Sequence, residues 1–388
     1  MPKREKVRYN MDTIDEEGAQ INLIYGERSN GKSYQVKHKK AVLQYLFGGN
    51  RYICTYKEKE KIIKSCVEKG SKFMLIRRWR EEISSELVEK YFDDVDIMKL
   101  TDNKYNCITM FKKTLFLSIY DLETGKTHRG PKIGYVVALS TEQKYAGGSY
   151  LDVTDMIFEE FMSRDMYLAG EPAKLMNLFS TVDRKRGFVK LWLVGNTISR
   201  VCPYLVDWDL LDDIRKQKQG EIITKWIPTG ETDDEGFDIE VKIAIEYCKS
   251  TGNSSYIIGK HKDMLNKGEW QSDPQPHLPK SKKDYKILYR IMFVYKSFNF
   301  IAEFLQDNET KNVCWFVFPT NKNPRDDIIV FSDIIKMSDY WQRDIYNPTF
   351  RNPKLRDLLQ TFRESNIFYA TDMCGTDFKQ VIDFTIKK

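Results

Sequence analysis

The chain has 388 residues, 41% hydrophobic and 30% charged, the profile of a soluble globular protein long enough for two domains. Its longer apolar runs, such as Tyr135–Leu139 and Leu191–Val194, fall far short of the ~20 residues a membrane-spanning helix needs, and no signal peptide is expected behind Met1-Pro2-Lys3-Arg4. Seven scattered cysteines without a CxxC pair argue against a disulfide framework or a structural zinc and fit a reducing cytoplasm better, while a net charge of +6 permits nucleic-acid binding without demanding it.

Ile21–Tyr25 reads as a buried strand that runs into a glycine loop, followed by a helix over about 32–47 closed by Gly48-Gly49. A second strand is predicted at Arg51–Tyr56, a charged helix at 57–69, a third strand at Lys72–Ile76 and a helix at about 81–92. Residues 105–139 break this rhythm and predict an inserted hairpin or small lid, turning at Glu123-Thr124-Gly125-Lys126. The alternation resumes with a strand at Val153–Phe158, a helix near 172–181 and a strand at Val189–Val194. Such alternation predicts an α/β fold, a parallel sheet sandwiched by helices. Ile222–Ile227 and Ile239–Ile245 then read as an edge hairpin around an acidic turn, Glu231–Glu235. The Gly-, Pro- and Lys-rich stretch 251–278 reads as a linker between an ATPase domain at 1–250 and a smaller sheet-centred domain at 279–388.

Gly26-Glu27-Arg28-Ser29-Asn30-Gly31-Lys32-Ser33 has the G-x4-G-K-S form of a phosphate-binding P-loop. Its glycines let backbone N–H groups wrap a triphosphate, Lys32 reaches the β- and γ-phosphates, and the Ser33 hydroxyl coordinates Mg²⁺. ATP and Mg²⁺ are therefore the expected ligands. Hydrolysis needs two further groups: an acid to hold the metal shell and a base to orient the attacking water. Both are expected at the end of a buried strand beside the P-loop strand. Asp155–Phe161 supplies them, with Glu159 assigned to the metal and Glu160 to the water. Asn196 ends another buried strand, either as a sensor of the γ-phosphate or as an ordinary turn residue. Arg184, in the basic run Arg184-Lys185-Arg186, is either a finger reaching a neighbouring subunit's ATP or a solvated helix end.

Together these motifs resemble the genome-packaging ATPases of phi29-like tailed phages, a branch of the additional-strand, catalytic-glutamate P-loop motors. The resemblance rests on Gly26–Ser33, Phe73–Trp79, Tyr91–Val95, Leu139-Ser140 with Lys144, Asp155–Phe161, Thr181–Arg186, Val194–Asn196 and Pro203-Tyr204, over roughly residues 20–210. It implies a ring, of five subunits, on the portal of an empty viral head, driving double-stranded DNA inward with ATP and partnered by a packaging RNA. It also implies a place in the infected host's cytoplasm, transiently on the prohead and not in the mature virion. By the same resemblance Arg184 acts in trans, and Lys144, Arg77 and Arg78 lie near the nucleotide or a subunit interface. Three departures stand out: Glu159 where Asp is usual, an extra stretch around 51–71, and a longer tail after about 340.

The likeness weakens from about 279 onward. Larger packaging enzymes carry there an RNase H-like nuclease that uses converging carboxylates and two metals. Lys286–Tyr295 contains no acid, and the next strand offers only Glu303. The expectation is a retained RNase H-like fold with a dead nuclease, whose basic residues Lys280, Lys282, Lys283 and Lys286 dock RNA or the portal. Alternatives that the sequence leaves standing are a ring helicase or recombination-type DNA translocase, an ATP-gated assembly scaffold, and a packaging terminase with active nuclease.

Overall fold

The computed structural model describes residues 9–47, 71–163, 166–232, 235–250, 269–270, 272–296, 298–334 and 336–383. The expected strand at Arg51–Tyr56, the helix at 57–69, the Gly48-Gly49 stop and most of the 251–278 linker lie outside them. The chain divides into two compact units, Met1–Thr197 with Gln217–Glu269, and Ile198–Lys216 with Trp270–Lys388.

The first unit is built on a nine-stranded sheet in the order β3-β4-β5-β2-β6-β7-β1-β9-β8. These strands are β1 (Ile21–Gly26), β2 (Lys72–Arg77), β3 (Cys107–Phe111), β4 (Thr114–Tyr120), β5 (Thr127–Ala138), β6 (Val153–Glu159), β7 (Lys190–Asn196), β8 (Ile222–Thr232) and β9 (Asp238–Tyr247). From β5 to β9 all neighbours pair in parallel. That explains why β1 and β6 are buried at every position: parallel strands are covered on both faces and so carry unbroken apolar runs.

Two expectations need correction. The 105–139 segment is no separate lid. The second half of β5 pairs in parallel with β2, so the β3-β4-β5 meander extends the main sheet. Alternation within β5 was masked by its exposed first half, which faces water. Likewise β6 does not adjoin the P-loop strand, because β7 lies between β6 and β1. An insertion of this kind is invisible to local pattern, because strand order depends on pairings between distant segments. The 222–245 hairpin does close the sheet's edge, with β9 beside β1.

The P-loop helix starts as α-helix at Lys32–Val36, widens to a π-helical segment at Lys37–Leu43 and returns to α at Gln44–Phe47. Lys40 from the π segment pairs with Asp15 at 2.7 Å, and Lys190 at the start of β7 reaches the same carboxylate at 2.9 Å. This triad, with Lys40 buried and the other two half-buried, ties the helix to the sheet beneath it.

In the second unit a six-stranded sheet runs β14-β13-β10-β11-β12-β15. Its strands are β10 (Tyr285–Tyr295), β11 (Phe298–Asp307), β12 (Val313–Pro319), β13 (Ile329–Ser332), β14 (Trp341–Gln342) and β15 (Ile367–Tyr369). β10, β11 and β12 form an antiparallel meander, and β13 and β14 follow in parallel beside β10. This is the RNase H-like order, with β15 added next to β12. Helices at Pro353–Glu364 and Asp372–Val381 cover one face, where Phe362 and Phe378 meet Phe293, Phe300 and Trp315. Glu303 points to the other face by strand alternation.

Candidate active site

The loop that follows β1 is shaped by its glycines. A Cβ on Gly26 would stand 2.9 Å from the Cβ of Cys248, so only glycine allows the backbone this close to the residue that follows β9. Ser29 and Gly31 both take positive φ, 65° and 100°, which turns successive N–H groups toward a common centre. Arg28 and Ser29 are exposed, while Glu27 and Asn30 are buried and brace the loop from below. Ser250 Oγ donates to Glu27 at 2.6 Å, and Asn30 Oδ1 accepts from the Lys32 N–H at 3.1 Å. Lys32 is itself buried, which lowers its pKa. Its ammonium donates to the Glu27 carbonyl at 2.5 Å, to Asn30 Oδ1 at 3.2 Å and to Asn196 Oδ1 at 3.3 Å. These acceptors are neutral, so a phosphate in the loop competes for Lys32 on better terms. The structure thus brings Asn196, from the end of β7, to the predicted loop.

Glu159 is reached although β7 intervenes. The P-loop helix leans across the sheet, and Ser33 Oγ donates to Glu159 Oε2 at 2.9 Å. Tyr91, the last residue of the helix Ser85–Tyr91, donates its hydroxyl to Glu159 Oε1 at 2.6 Å. Burial raises the Glu159 pKa, opposed by the Tyr91 and Ser33 hydrogen bonds and by the Arg77 and Lys37 charges. Among the described residues no cluster of three or more His, Cys, Asp or Glu could hold a metal. A phosphate-loop Mg²⁺ needs none, because one or two protein oxygens suffice when phosphates and water supply the rest. The adjacent hydroxyl and carboxylate are hard oxygen donors of the right kind, so the residues fit Mg²⁺.

Glu160 follows at the strand end, exposed and in the left-handed region at φ 59°. Its backbone is held by Arg78, whose Nη2 donates to the carbonyls of Glu160 at 3.1 Å and Phe161 at 2.9 Å. The Nε of Arg78 meanwhile forks onto Glu171 at 3.0 and 2.9 Å. Arg77 and Arg78 therefore part ways. Arg78 is buried scaffold; Arg77 lines a cleft of about 480 Å³ with Ser33, Lys37, Tyr91, Asp94, Glu159 and Glu160. Sequence reasoning gave Tyr91 and Lys37 no role. The only signals were the place of Tyr91 within the resembling segment and of Lys37 one helical turn after Ser33.

Arg184 is not brought to this cleft. The helix Glu171–Asp183 runs back from the carboxylate end, and Arg184 caps its far end at φ 48°, donating to the Gly148 carbonyl at 2.8 Å. β7 starts beyond it, and Lys190 pairs with Asp155, four residues or roughly 13 Å below the Glu159 level. Arg186 is buried and binds the carbonyls of Leu151, Val153 and Val182, which fixes the turn that displays Arg184 and Lys185. Lys144 is exposed on the 3₁₀ segment Leu139–Tyr145 and does not line the cleft either.

Residues 4–229 match the family described as Podovirus DNA encapsidation protein (Gp16). The DNA packaging protein of Bacillus phage phi29 is 22% identical over 280 residues, covering 70% of this chain and 69% of that protein. The DNA packaging protein of Bacillus phage PZA is 25% identical over 200 residues, 51% of this chain and 48%, about half, of the relative. Among solved structures, a chain of the bacteriophage Phi-29 viral genome packaging motor assembly aligns over 97% of this chain and 99% of its own length. Its TM-score is 0.51 at 19% identity, a likeness of fold.

Proposed function

Because the chain belongs to the podovirus DNA encapsidation protein family, we propose that it is the ATP-driven motor that moves double-stranded viral DNA into a preformed head. The observation that carries the ATPase reading is the 2.9 Å contact between Ser33 and Glu159, which joins the phosphate loop to the carboxylate end across β7. In this reading the loop N–H groups and Lys32 hold the triphosphate. Mg²⁺ held by Ser33 and Glu159 would offset charge building on the transferred phosphoryl group. Glu160 accepts a proton from the attacking water and orients it, while its backbone stays fixed by Arg78. Asn196, already within reach of Lys32, is placed to sense whether a γ-phosphate is present.

The position of Arg184 toward the end of the strands opposite Glu159 supports a role on a neighbouring subunit's nucleotide, and hence a ring; five subunits are the family expectation. The portal and a packaging RNA are the proposed partners, and the infected host's cytoplasm the proposed location. An active nuclease is disfavoured by Glu303. It is 2% exposed, and its carboxylate lies between Arg290 at 3.0 Å and Lys282 at 2.6 Å, two cations that compete with a metal for it. The proposal predicts that Glu160→Gln binds ATP but releases phosphate at least ~100-fold more slowly. Normal turnover by that variant refutes it. ATP-dependent uptake of DNA into empty heads separates a packaging motor from a helicase, which would instead open forked DNA.

A further inference from the structure

Glu159 stands where the shorter aspartate is usual, and its extra methylene adds a rotatable bond that must be frozen before the carboxylate can meet a metal. The cleft contains a device that removes this freedom. One carboxylate oxygen accepts from Ser33 at 2.9 Å and the other from the Tyr91 hydroxyl at 2.6 Å. Tyr91 is fastened in turn from the P-loop helix. Lys37, one helical turn after Ser33, donates to the Tyr91 carbonyl, pairs with Asp94 at 2.5 Å and lies 4.6 Å from the Tyr91 ring centre. Arg77 stands over the same ring at 5.2 Å.

We propose that Tyr91 is the positioning residue for Glu159: its hydroxyl holds the longer carboxylate in the place from which it serves Mg²⁺ beside Ser33. The inference rests on the ATPase reading above. It assigns Tyr91 no proton transfer and no contact with substrate. Its role follows from the length of residue 159, so it should vanish when that residue is shortened. An aspartate at 159 draws its carboxylate back by one methylene, out of the reach that gives the 2.6 Å hydrogen bond.

The test is equilibrium binding of a fluorescent, non-hydrolysable ATP analogue to the full chain, with Mg²⁺ or with EDTA. It compares the wild type, Tyr91→Phe, Glu159→Asp and the double variant. Tyr91→Phe keeps the ring, the two cations over it and the Lys37 contact to its carbonyl. The expected result is a loss of about three- to ten-fold in the Mg²⁺-dependent part of the affinity, with EDTA values unchanged. In the Glu159→Asp background the same change should cost less than about two-fold. Equal loss with and without Mg²⁺, equal loss in both backgrounds, or no loss at all would each overturn the proposal. If the wild type itself binds no analogue in either buffer, the ATPase reading fails and takes this inference with it, a distinguishable outcome.

Discussion

Removing Arg78 should separate folding from catalysis, because one guanidinium serves both. Its partner Glu171 is fully buried, and the Leu168 N–H also donates to that carboxylate at 2.9 Å. Arg78→Ala takes the guanidinium away from that buried carboxylate, and breaking one side of a buried pair costs about 3–5 kcal/mol. For a unit of this size that corresponds to a fall in melting temperature of roughly 6–20 °C. Replacing both partners, as in Arg78→Met with Glu171→Met, removes the buried charge as well. Stability should return to within about 2 kcal/mol of wild type, since apolar pairs of similar volume often match a buried ion pair. Catalysis should not return. The Glu160 and Phe161 carbonyls would still lack their donor, and Glu160 sits at φ 59°, a conformation that costs about 1–2 kcal/mol for a residue with a side chain. The backbone would relax and shift the carboxylate, and a displacement near 1 Å is worth roughly 100-fold in rate. Calorimetry and steady-state phosphate release on the single and double variants measure the two effects. A double variant that is stable and hydrolyses ATP at the wild-type rate would refute the claim that Arg78 positions Glu160.

Two further outcomes are expected. Arg184→Ala and Lys32→Ala proteins should each be inactive alone, and an equimolar mixture should recover up to roughly a quarter of wild-type turnover through sites that pair an intact loop with an intact neighbouring arginine. No recovery in rings shown to be mixed would place Arg184 outside the site. Asp15 is pushed up by burial, but Lys40 foremost and then Lys190 overcome this and hold it at about 2, below the ordinary 3.8. Since its folded pKa is depressed, Asp15 contributes about 2–3 kcal/mol above pH 4, lost as pH falls toward and through 2. The melting gap between wild type and Asp15→Asn should therefore be full at pH 5 and shrink by pH 2.5; a gap that does not narrow would contradict this.

The sequence by itself determined the phosphate loop, its strand and helix, the carboxylates at the end of β6 and the amide at the end of β7. Each is a local pattern: an apolar run meeting a polar or glycine-rich end, readable because parallel strands are buried on both faces. It also indicated an acid-poor second sheet, since the lack of a carboxylate in β10 needs no coordinates to see. Only the tertiary structure decided which strands are neighbours, because strand order depends on pairings between distant segments that leave no local trace. So β7 entered between β1 and β6, the 105–139 meander joined the main sheet, and Arg77 and Arg78, adjacent in sequence, went to opposite tasks as side chains alternate along a strand. The tie of Tyr91 to Glu159 is of the same kind: 68 residues apart in the chain, they meet at 2.6 Å because the helix ends in Tyr91 at the strand end where Glu159 lies.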